Sequence, residues 1–242
     1  MLYEVRALSR PFYRAESSIC ALDDVSLNVA AGELLAVVGP SGCGKTTLLH
    51  ILGAIDREYR GRVLLDGQDL GSLSANACAA LRLAKIGFVF QTFRLLDALT
   101  VQENIALPLW RLRGDRRAAE DTAGRLAEQL GISHRLRQRP HQLSVGEMQR
   151  AAVARALACD PLVILADEPT ASLDADNGRH IIATLQAIAQ KGRTVLVATH
   201  DNAVIASATR VVKLERGKLV HDSASVAPDS AAPVALSGGA LR

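Results

Sequence analysis

The sequence predicts an α/β fold, in which helices cover both faces of a mainly parallel sheet. Short uninterrupted apolar runs such as Leu34–Val38 and Thr194–Ala198 are typical of buried parallel strands. These runs alternate with segments whose apolar residues recur at helical spacing, as between residues 181 and 188. Such alternation favours a parallel sheet built from βαβ units. The third observation is a glycine-rich loop that joins one such strand to the helix after it.

The composition is that of a globular protein in a reducing compartment. The chain has 242 residues, of which 49% are hydrophobic, so it can bury a sizeable core. A net charge of +3 is too small to suggest nucleic acid as a partner. The four cysteines contain no C-x-x-C pair, which argues against a zinc site or a disulfide framework. We expect neither a signal peptide nor a spanning helix, because no uncharged apolar run approaches ~18 residues.

The remaining elements are predicted from periodicity and from turn residues. The first 33 residues are expected to form short strands and turns, and Gly131 is expected to end a helix. Strands are predicted over 25–29, 61–65, 86–90, 162–166, 210–214 and 218–220, and helices over 119–130, 146–157 and 181–188. Residues 223–242 are rich in Ala, Ser, Pro and Gly and are predicted to be disordered.

The glycine-rich loop fits the pattern G-x-x-x-x-G-K-[ST], which wraps phosphate groups. Glycines let the backbone approach phosphate oxygens, and the helix that follows offers unpaired N–H groups and its positive dipole end. Lys45 can reach the β- and γ-phosphates, and the Thr46 hydroxyl can ligate Mg²⁺. We therefore predict a nucleotide-binding loop formed by Gly39, Pro40, Ser41, Gly42, Cys43, Gly44, Lys45, Thr46 and Thr47.

Polar side chains follow three other predicted strands, at Gln91, Asp167-Glu168 and His200. Ligands of a parallel α/β sheet bind beyond the carboxyl ends of its strands, so these groups are candidates for catalysis. Asp167 suits Mg²⁺, and Glu168 suits polarising a water aimed at the γ-phosphate. Gln91 could position that water and the metal, and His200 could hold the γ-phosphate. Taken singly, Gln91 and His200 would more often be caps or ordinary surface groups.

The segment 143–147, Leu-Ser-Val-Gly-Glu, followed by Gln149-Arg150, resembles the signature motif of the ABC ATPases. The resemblance covers about residues 1–220, with the family's other motifs in their usual order. It implies that Glu168 is the catalytic glutamate after the Walker B strand and that His200 is the switch histidine. It also implies adenine stacking by Tyr13, a Q-loop at Gln91 and a D-loop at Asp174. Segments 103–109 and 165–170 most resemble the lipoprotein-release, macrolide-export and cell-division group.

Two residues depart from the usual LSGGQ signature. Val145 replaces the first glycine, and because β-branched residues resist positive φ, this position is predicted not to need a left-handed backbone. Glu147 replaces the glutamine, and its carboxylate near a triphosphate could weaken ATP capture. Ser144 and the Gly146 amide are then expected to carry the phosphate contact. The Ser144 hydroxyl can also cap the helix that begins there.

The resemblance implies a P-loop NTPase core of the RecA-like type with a parallel sheet. An N-terminal antiparallel β subdomain and an inserted helical subdomain with the signature complete this fold. The nucleotide-binding domain is expected over 1–222, with the core in about 1–91 and 161–222 and the helical subdomain in about 92–160. ATP and Mg²⁺ are the implied ligands, the metal being held by Thr46, Gln91 and Asp167.

The resemblance also implies two partners. Each ATP is expected between Lys45 of one subunit and Ser144 of a second copy, and an integral membrane permease is expected to bind the pair. The implied function is ATP hydrolysis that drives this permease in export or extraction, at the cytoplasmic face of the inner membrane. Two alternatives stay open, namely a regulatory ATPase that signals through a permease and a soluble ABC protein of translation or DNA repair.

The apolar residues after Gln91 are candidates for the permease contact. Phe93, Leu95 and Leu96 fall where the core meets the helical segment, and a short permease helix could dock there. Simple core packing explains these residues equally well. Arginines on the helical segment are interpreted as solvated faces, with contact to anionic headgroups as the alternative. They are Arg111, Arg113, Arg116, Arg117, Arg135, Arg137 and Arg139.

Overall fold

A computed structural model describes residues 1–14 and 17–225, and within them ten strands form two sheets that seven helices accompany. The strands are β1 (Tyr3–Arg14), β2 (Ser17–Val29), β3 (Leu34–Val38), β4 (Arg60–Leu65), β5 (Gln68–Asp69), β6 (Ile86–Val89), β7 (Val163–Asp167), β8 (Thr194–Ala198), β9 (Arg210–Glu215) and β10 (Lys218–Asp222). The helices are α1 (Lys45–Leu52), α2 (Ala75–Lys85), α3 (Val101–Arg113), α4 (Arg116–Gln129), α5 (Val145–Leu157), α6 (Ala175–Gln190) and α7 (Asn202–Ser207).

The larger sheet has the strand order β10-β9-β3-β8-β7-β6. Its strands from β9 to β6 are parallel, and β10 pairs antiparallel with β9 at the edge. Both β7 and β8 are buried at every residue. The predicted parallel sheet is therefore confirmed, and the uninterrupted apolar runs are explained by burial on both faces.

Two apolar clusters occupy the two faces of this sheet. Leu165 of β7 packs with α1 and the N-terminal strands, whereas its neighbours Ile164 and Ala166 pack with α3, α4, α5 and α6. The alternation follows from the period of two in a strand. Because the helical segment shares its apolar cluster with the sheet, α5 is fixed to the strands that carry the polar groups.

The smaller sheet is antiparallel, with the order β2-β1-β4-β5. Its first two strands are 12 and 13 residues long, which corrects the expectation of short strands and turns. The pairing register shifts near Ala7 and Asp24, whose φ angles are 48° and 54°. Such β-bulges let a strand continue, but they interrupt the apolar alternation and so imitate turns in the sequence.

The helical segment consists of α3, α4 and α5. Thr100 and Glu103 form a capping box at the start of α3, and Gly131, with φ 68°, follows α4 as predicted. Trp110 of α3 is 41% exposed, and the guanidinium of Arg116 lies 5.8 Å from the centre of its ring. This face of the segment therefore presents an aromatic ring and positive charge to solvent.

Two helices and the end of the chain differ from the sequence-based expectation. Helix α2 was not predicted, because only Cys78 and Leu81 of its 11 residues are buried and its apolar periodicity is weak. The short α7 was not predicted either. A 3₁₀ turn over Ser223–Ser225 continues the regular structure three residues past the expected boundary, and the rest of the predicted disordered tail, 226–242, lies outside the described residues.

Candidate nucleotide site

Four neighbouring strands end at one edge of the larger sheet, and each is followed by a predicted site residue. Along the order β3-β8-β7-β6, these ends lead into the glycine-rich loop, His200, Asp167-Glu168 and Gln91. A cavity of about 300 Å³ opens there. It is lined by Ala21, Ser41, Gly42, Gly44, Lys45, Thr46, Thr47, Gln91, Glu168 and His200. Nine of these ten residues were predicted, and Ala21 was not singled out.

The loop before α1 has a backbone that only glycine adopts easily. Gly39, Gly42 and Gly44 have φ angles of 147°, 76° and 110°. A Cβ on Gly44 would lie 2.3 Å from the carbonyl oxygen of Ala21, so this position also has no room for a side chain. No side chain caps the first amides of α1. These N–H groups and the positive end of the helix dipole therefore favour an anion in the cavity.

Lys45 brings a buried cation to the floor of the cavity. Lys45 is 8% exposed, and its Nζ donates hydrogen bonds to the carbonyl oxygens of Gly39 at 2.8 Å and Pro40 at 3.4 Å. It lies 4.0 Å from Oε1 of Glu168. The ammonium group is thus positioned by the loop itself, beside a carboxylate.

Thr46 and Asp167 bring two side-chain oxygens together that could hold a metal ion. The Thr46 hydroxyl donates to Oδ1 of Asp167 at 3.2 Å, which joins the start of α1 to the end of β7. Burial raises the pKa of Asp167, against the lowering effects of the Thr46 hydrogen bond, His50 and Lys45. A desolvated carboxylate beside a hydroxyl suits a hard divalent cation that takes its other ligands from phosphate and water. The donor set therefore fits Mg²⁺.

The carboxylate of Glu168 lies between Lys45 and His200. Its Oε1 lies 3.0 Å from Nδ1 of His200, and its Oε2 is buried without a hydrogen-bond partner among the described residues. The backbone of Glu168 is left-handed, with φ 46°. A strained, non-glycine conformation at the end of a strand is typical of functional positions.

The signature segment lies outside this cavity. Ser144 caps α5 by accepting from the Glu147 amide at 3.3 Å, and Glu147 completes a capping box by accepting from the Ser144 amide at 2.8 Å. Val145 begins α5 and has no positive φ, as predicted. The structure thus keeps the signature away from the nucleotide loop of its own chain.

The Glu147 carboxylate is neutralised locally. Partial burial would raise its pKa, but the Ser144 amide, the Arg135 guanidinium at 2.8 Å and the Ser144 hydroxyl outweigh burial and lower the pKa to about 2. The expectation that Arg135 is simply solvated is therefore wrong. Because Glu147 is committed to these partners, its negative charge is largely offset before any phosphate approaches.

The signature helix also contacts the D-loop region. A Cβ on Gly146 would lie 2.4 Å from Oδ1 of Asn177, so a larger residue here would displace the Asn177 amide. Asn177 donates through its side chain to Oδ2 of Asp174 at 2.8 Å, and Asp174 caps α6. Arg150 donates to Oδ1 of Asn177 at 2.7 Å. Sequence reasoning did not assign these supporting roles to Arg150 and Asn177, which become visible only once α5 and α6 are adjacent.

In the segment after Gln91, some side chains pack on the core and others are exposed. Phe93 and Arg94 have left-handed φ angles of 57° and 49°, and the guanidinium of Arg155 donates to both of their carbonyl oxygens. Burial lowers the pKa of Arg155 to about 10. Leu95 packs on the apolar cluster of the helical segment, whereas Leu96 is 48% exposed. The side chain of Tyr13, the predicted adenine contact, lies outside the described part of the structure.

The sequence profile of the family described as "ABC transporter" matches residues 22–171. This chain belongs to the ABC transporter ATPases. It is accordingly an ATPase, and the P-loop NTPase fold predicted from the sequence is confirmed. In the part of this ABC ATPase that the structure describes, no helix has the length and apolarity needed to cross a bilayer.

Curated relatives of this ABC ATPase include macrolide exporters. It is 44% identical over 227 residues to the macrolide export ATP-binding/permease protein MacB of Rhodospirillum rubrum, covering 94% of the chain and 35% of MacB. MacB of Shewanella oneidensis is 39% identical over 230 residues, which cover 95% of this chain and 35% of that MacB. The chain thus spans about a third of the length of these relatives. The matches do not favour the regulatory or soluble alternatives.

Solved structures of ABC cassettes are similar along almost their whole length. The dimeric structure of the ATP-binding cassette MJ0796 bound to ADP and Pi, in a post-hydrolysis state, has a TM-score of 0.86 and 36% identity, covering 91% of this chain and 97% of that one. CbiO1 from Clostridium perfringens, part of the ABC transporter complex cbiONQ, has a TM-score of 0.80 and 27% identity, with 91% and 87% coverage.

Proposed function

We propose that this ABC ATPase drives a membrane permease of the macrolide-exporter type. The observation that carries the proposal is the similarity of nearly the whole chain to the ATP-binding part of MacB proteins. The relatives contain a permease in addition, and the chain matches only about a third of their length. The permease is therefore proposed as a partner, and the protein is proposed to lie at the cytoplasmic face of the inner membrane through it.

The loop and α1 are proposed to hold the triphosphate of ATP. The uncapped amides at the start of α1 and the backbone of residues 39–44 would surround the β-phosphate. Lys45 already lies beside Glu168, so its ammonium can reach from the loop carbonyls to the β- and γ-phosphate oxygens. Tyr13 is proposed to stack on adenine.

Thr46 and Asp167 are proposed as the protein ligands of Mg²⁺, with Gln91 at the same cavity as a further ligand or water-positioning group. When bound, the ion would neutralise charge on the β- and γ-phosphates. Asp167 would present a buried carboxylate oxygen to the ion, and Thr46 orients that carboxylate through the hydrogen bond between their side chains. Two protein ligands are typical of Mg²⁺ sites that are completed by a nucleotide.

Glu168 is proposed to orient the attacking water and take its proton. The water oxygen forms a bond to the γ-phosphorus while the bond to the β,γ-bridging oxygen breaks, giving ADP and phosphate. His200 contacts Oε1 of Glu168 from the solvent side and so orients the carboxylate at the edge of the cavity. Hydrolysis requires little beyond this positioning, because the phosphoryl group transfers through a loose transition state.

A second copy of the chain is proposed to complete each site. Ser144, Gly146 and Glu147 do not line the cavity of their own chain, and we propose that they contact the nucleotide bound by the other subunit. Asp174 is proposed to lie at the same interface. The similar MJ0796 cassette is described as dimeric in two structures, which supports this arrangement.

Co-expression with a permease encoded by a neighbouring gene tests the proposal. The tagged chain should co-purify with the permease from detergent extracts, and the ATPase rate should rise when both are reconstituted in liposomes. A macrolide gradient should form in vesicles that contain both proteins and ATP, and not in vesicles with Lys45→Ala. Co-purification without any ATP-dependent export would instead support a regulatory role.

A further inference from the structure

Gln149 has a buried side-chain amide that contacts the loop after the Walker B strand. The residue is 1% exposed on α5, and its Nε2 donates to the carbonyl oxygen of Pro169 at 2.7 Å. Its Oε1 has no hydrogen-bond partner in the described part of the chain. An unsatisfied buried oxygen is costly, so an apolar residue would be favoured unless the single hydrogen bond to Pro169 matters.

Pro169 directly follows Glu168, a site residue with a left-handed backbone. Glu168 has a φ of 46°, and a following proline restricts the backbone of the residue before it still further. The Glu168 amide donates to the Ala198 carbonyl of β8 at 2.9 Å. The chain is thus held by β8 before the strained residue and by Gln149 after it. Such a conformation persists only where the surroundings fix it on both sides.

Helix α5 also contacts the first turn of α6, which follows this loop. Arg150, the next residue of α5, donates to Asn177 at 2.7 Å, and Gly146 packs against the same side chain. Helix α5 begins at the capping residue Ser144. It contacts Pro169 through Gln149 and Asn177 through Arg150. Through the hydrogen bond to Pro169, α5 contacts the residue that directly follows Glu168.

We propose that Gln149 is a positioning residue for Glu168, acting through the Pro169 carbonyl to hold the carboxylate in the geometry that hydrolysis needs. The inference rests on the proposed role of Glu168 as the group that activates water. It predicts that Gln149 affects the cleavage step and leaves nucleotide binding unchanged. Among the described residues, the Pro169 carbonyl is the one hydrogen-bond partner of the Gln149 side chain.

The test compares Gln149→Met with Val153→Ala in the full chain. Methionine keeps the volume and removes the donor, whereas Val153→Ala removes buried volume from the same helix without touching a hydrogen bond to the loop. We expect Gln149→Met to lower kcat about tenfold, the effect of losing one well-placed hydrogen bond, with KM changed less than about twofold. Val153→Ala should keep kcat within about twofold of wild type, although its melting temperature falls.

A second consequence separates positioning from simple loss of stability. Because Gln149→Met slows cleavage and leaves binding intact, the variant should accumulate as an ATP-bound dimer in size-exclusion chromatography with Mg-ATP. Should Gln149→Met fail to fold, Gln149→Asn serves instead, since its amide stops one methylene short of Pro169. Normal kcat in either folded variant, or a raised KM with normal kcat, overturns the inference.

Glu168→Gln in the same assays shows which proposal fails. If Glu168→Gln hydrolyses ATP at the normal rate, the proposed role of Glu168 is wrong. If Glu168→Gln is inactive while Gln149→Met is fully active, the role of Glu168 stands and the inference about Gln149 is wrong. Equal loss of kcat in Gln149→Met and Val153→Ala would mean that packing of α5 is what matters, and this also overturns the inference.

Discussion

The Nδ1 atom of His200 lies 3.0 Å from Oε1 of Glu168, so an imidazole that is 73% exposed holds a carboxylate that is 14% exposed. The two residues follow adjacent strands, β8 and β7, of the parallel sheet. The contact fixes one oxygen of Glu168 from outside while the other faces inward. Substitutions at Glu168 should therefore affect hydrolysis and leave the nucleotide-binding loop before α1 intact.

Glu168→Gln should bind ATP and fail to cleave it. The amide keeps the size and the contact with His200, but it cannot take a proton from water. We expect kcat to fall by about 10³-fold or more and a stable ATP-bound dimer to appear in size-exclusion chromatography. Glu128→Gln, an exposed change on α4, is the matched control. A monomeric Glu168→Gln with a normal rate would contradict the assignment.

Lys45→Ala should abolish hydrolysis and greatly weaken nucleotide binding, because it removes the buried cation that lies between the loop carbonyls and Glu168. Isothermal titration with ATP should show an affinity loss of about 2 kcal/mol or more, as expected for a charged hydrogen-bond donor. Lys191→Ala, which removes an exposed lysine at the end of α6, should behave like wild type. Wild-type turnover in Lys45→Ala would remove the basis of the nucleotide site.

Glu147→Gln should alter how stability depends on pH. The pKa of Glu147 is lowered to about 2 in the folded chain, so its stabilisation is present above the ordinary value of about 4.5 and is lost as the pH falls from there toward 2. At pH 7 the variant should be less stable by about 1 kcal/mol, because glutamine keeps the capping box and loses the Arg135 ion pair. Thermal melts between pH 7 and pH 2.5 should show this difference shrink. A difference that stays constant with pH would contradict the role of the ionised carboxylate.

Leu96→Ala should uncouple the permease and leave the fold intact. Leu96 is 48% exposed, so its loss costs little packing, whereas an apolar anchor in a docked interface is worth roughly 2 kcal/mol or more. Permease co-purification and permease-stimulated ATPase should fall together, and basal ATPase should stay unchanged.

Phe93→Ala is expected to share this behaviour. Leu95→Ala is the control, because Leu95 packs on the apolar cluster and its loss should lower the melting temperature first. Normal permease binding by both Phe93→Ala and Leu96→Ala would place the docking groove elsewhere.

The core of the candidate site was predictable because of the geometry of parallel sheets. Residues at the carboxyl ends of β3, β6, β7 and β8 meet at one edge whatever the loops do, so Gln91, Glu168 and His200 could be grouped from sequence. The apolar runs also indicated which strands are buried on both faces. The sequence pattern therefore indicated at which edge of the sheet the polar site residues lie.

The supporting contacts could not be predicted, because they depend on which elements become neighbours. Gln149 and Pro169 are 20 residues apart, and nothing local in the sequence connects them. Arg135 belonged to a basic run that is usually solvated, yet it pairs with Glu147. The long strands β1 and β2 were missed for a different reason, since left-handed residues at Ala7 and Asp24 break the alternation that strand prediction uses.

Trp110 is the single tryptophan of the chain, and it stands partly exposed on α3 beside Arg116. Its intrinsic fluorescence therefore reports on one face of the helical segment, well separated in sequence from the phosphate-binding loop. A protein or lipid that covers this indole would shift its emission to shorter wavelength, and iodide would quench it less. The wild-type chain thus carries its own optical probe, which needs no chemical labelling of the four cysteines.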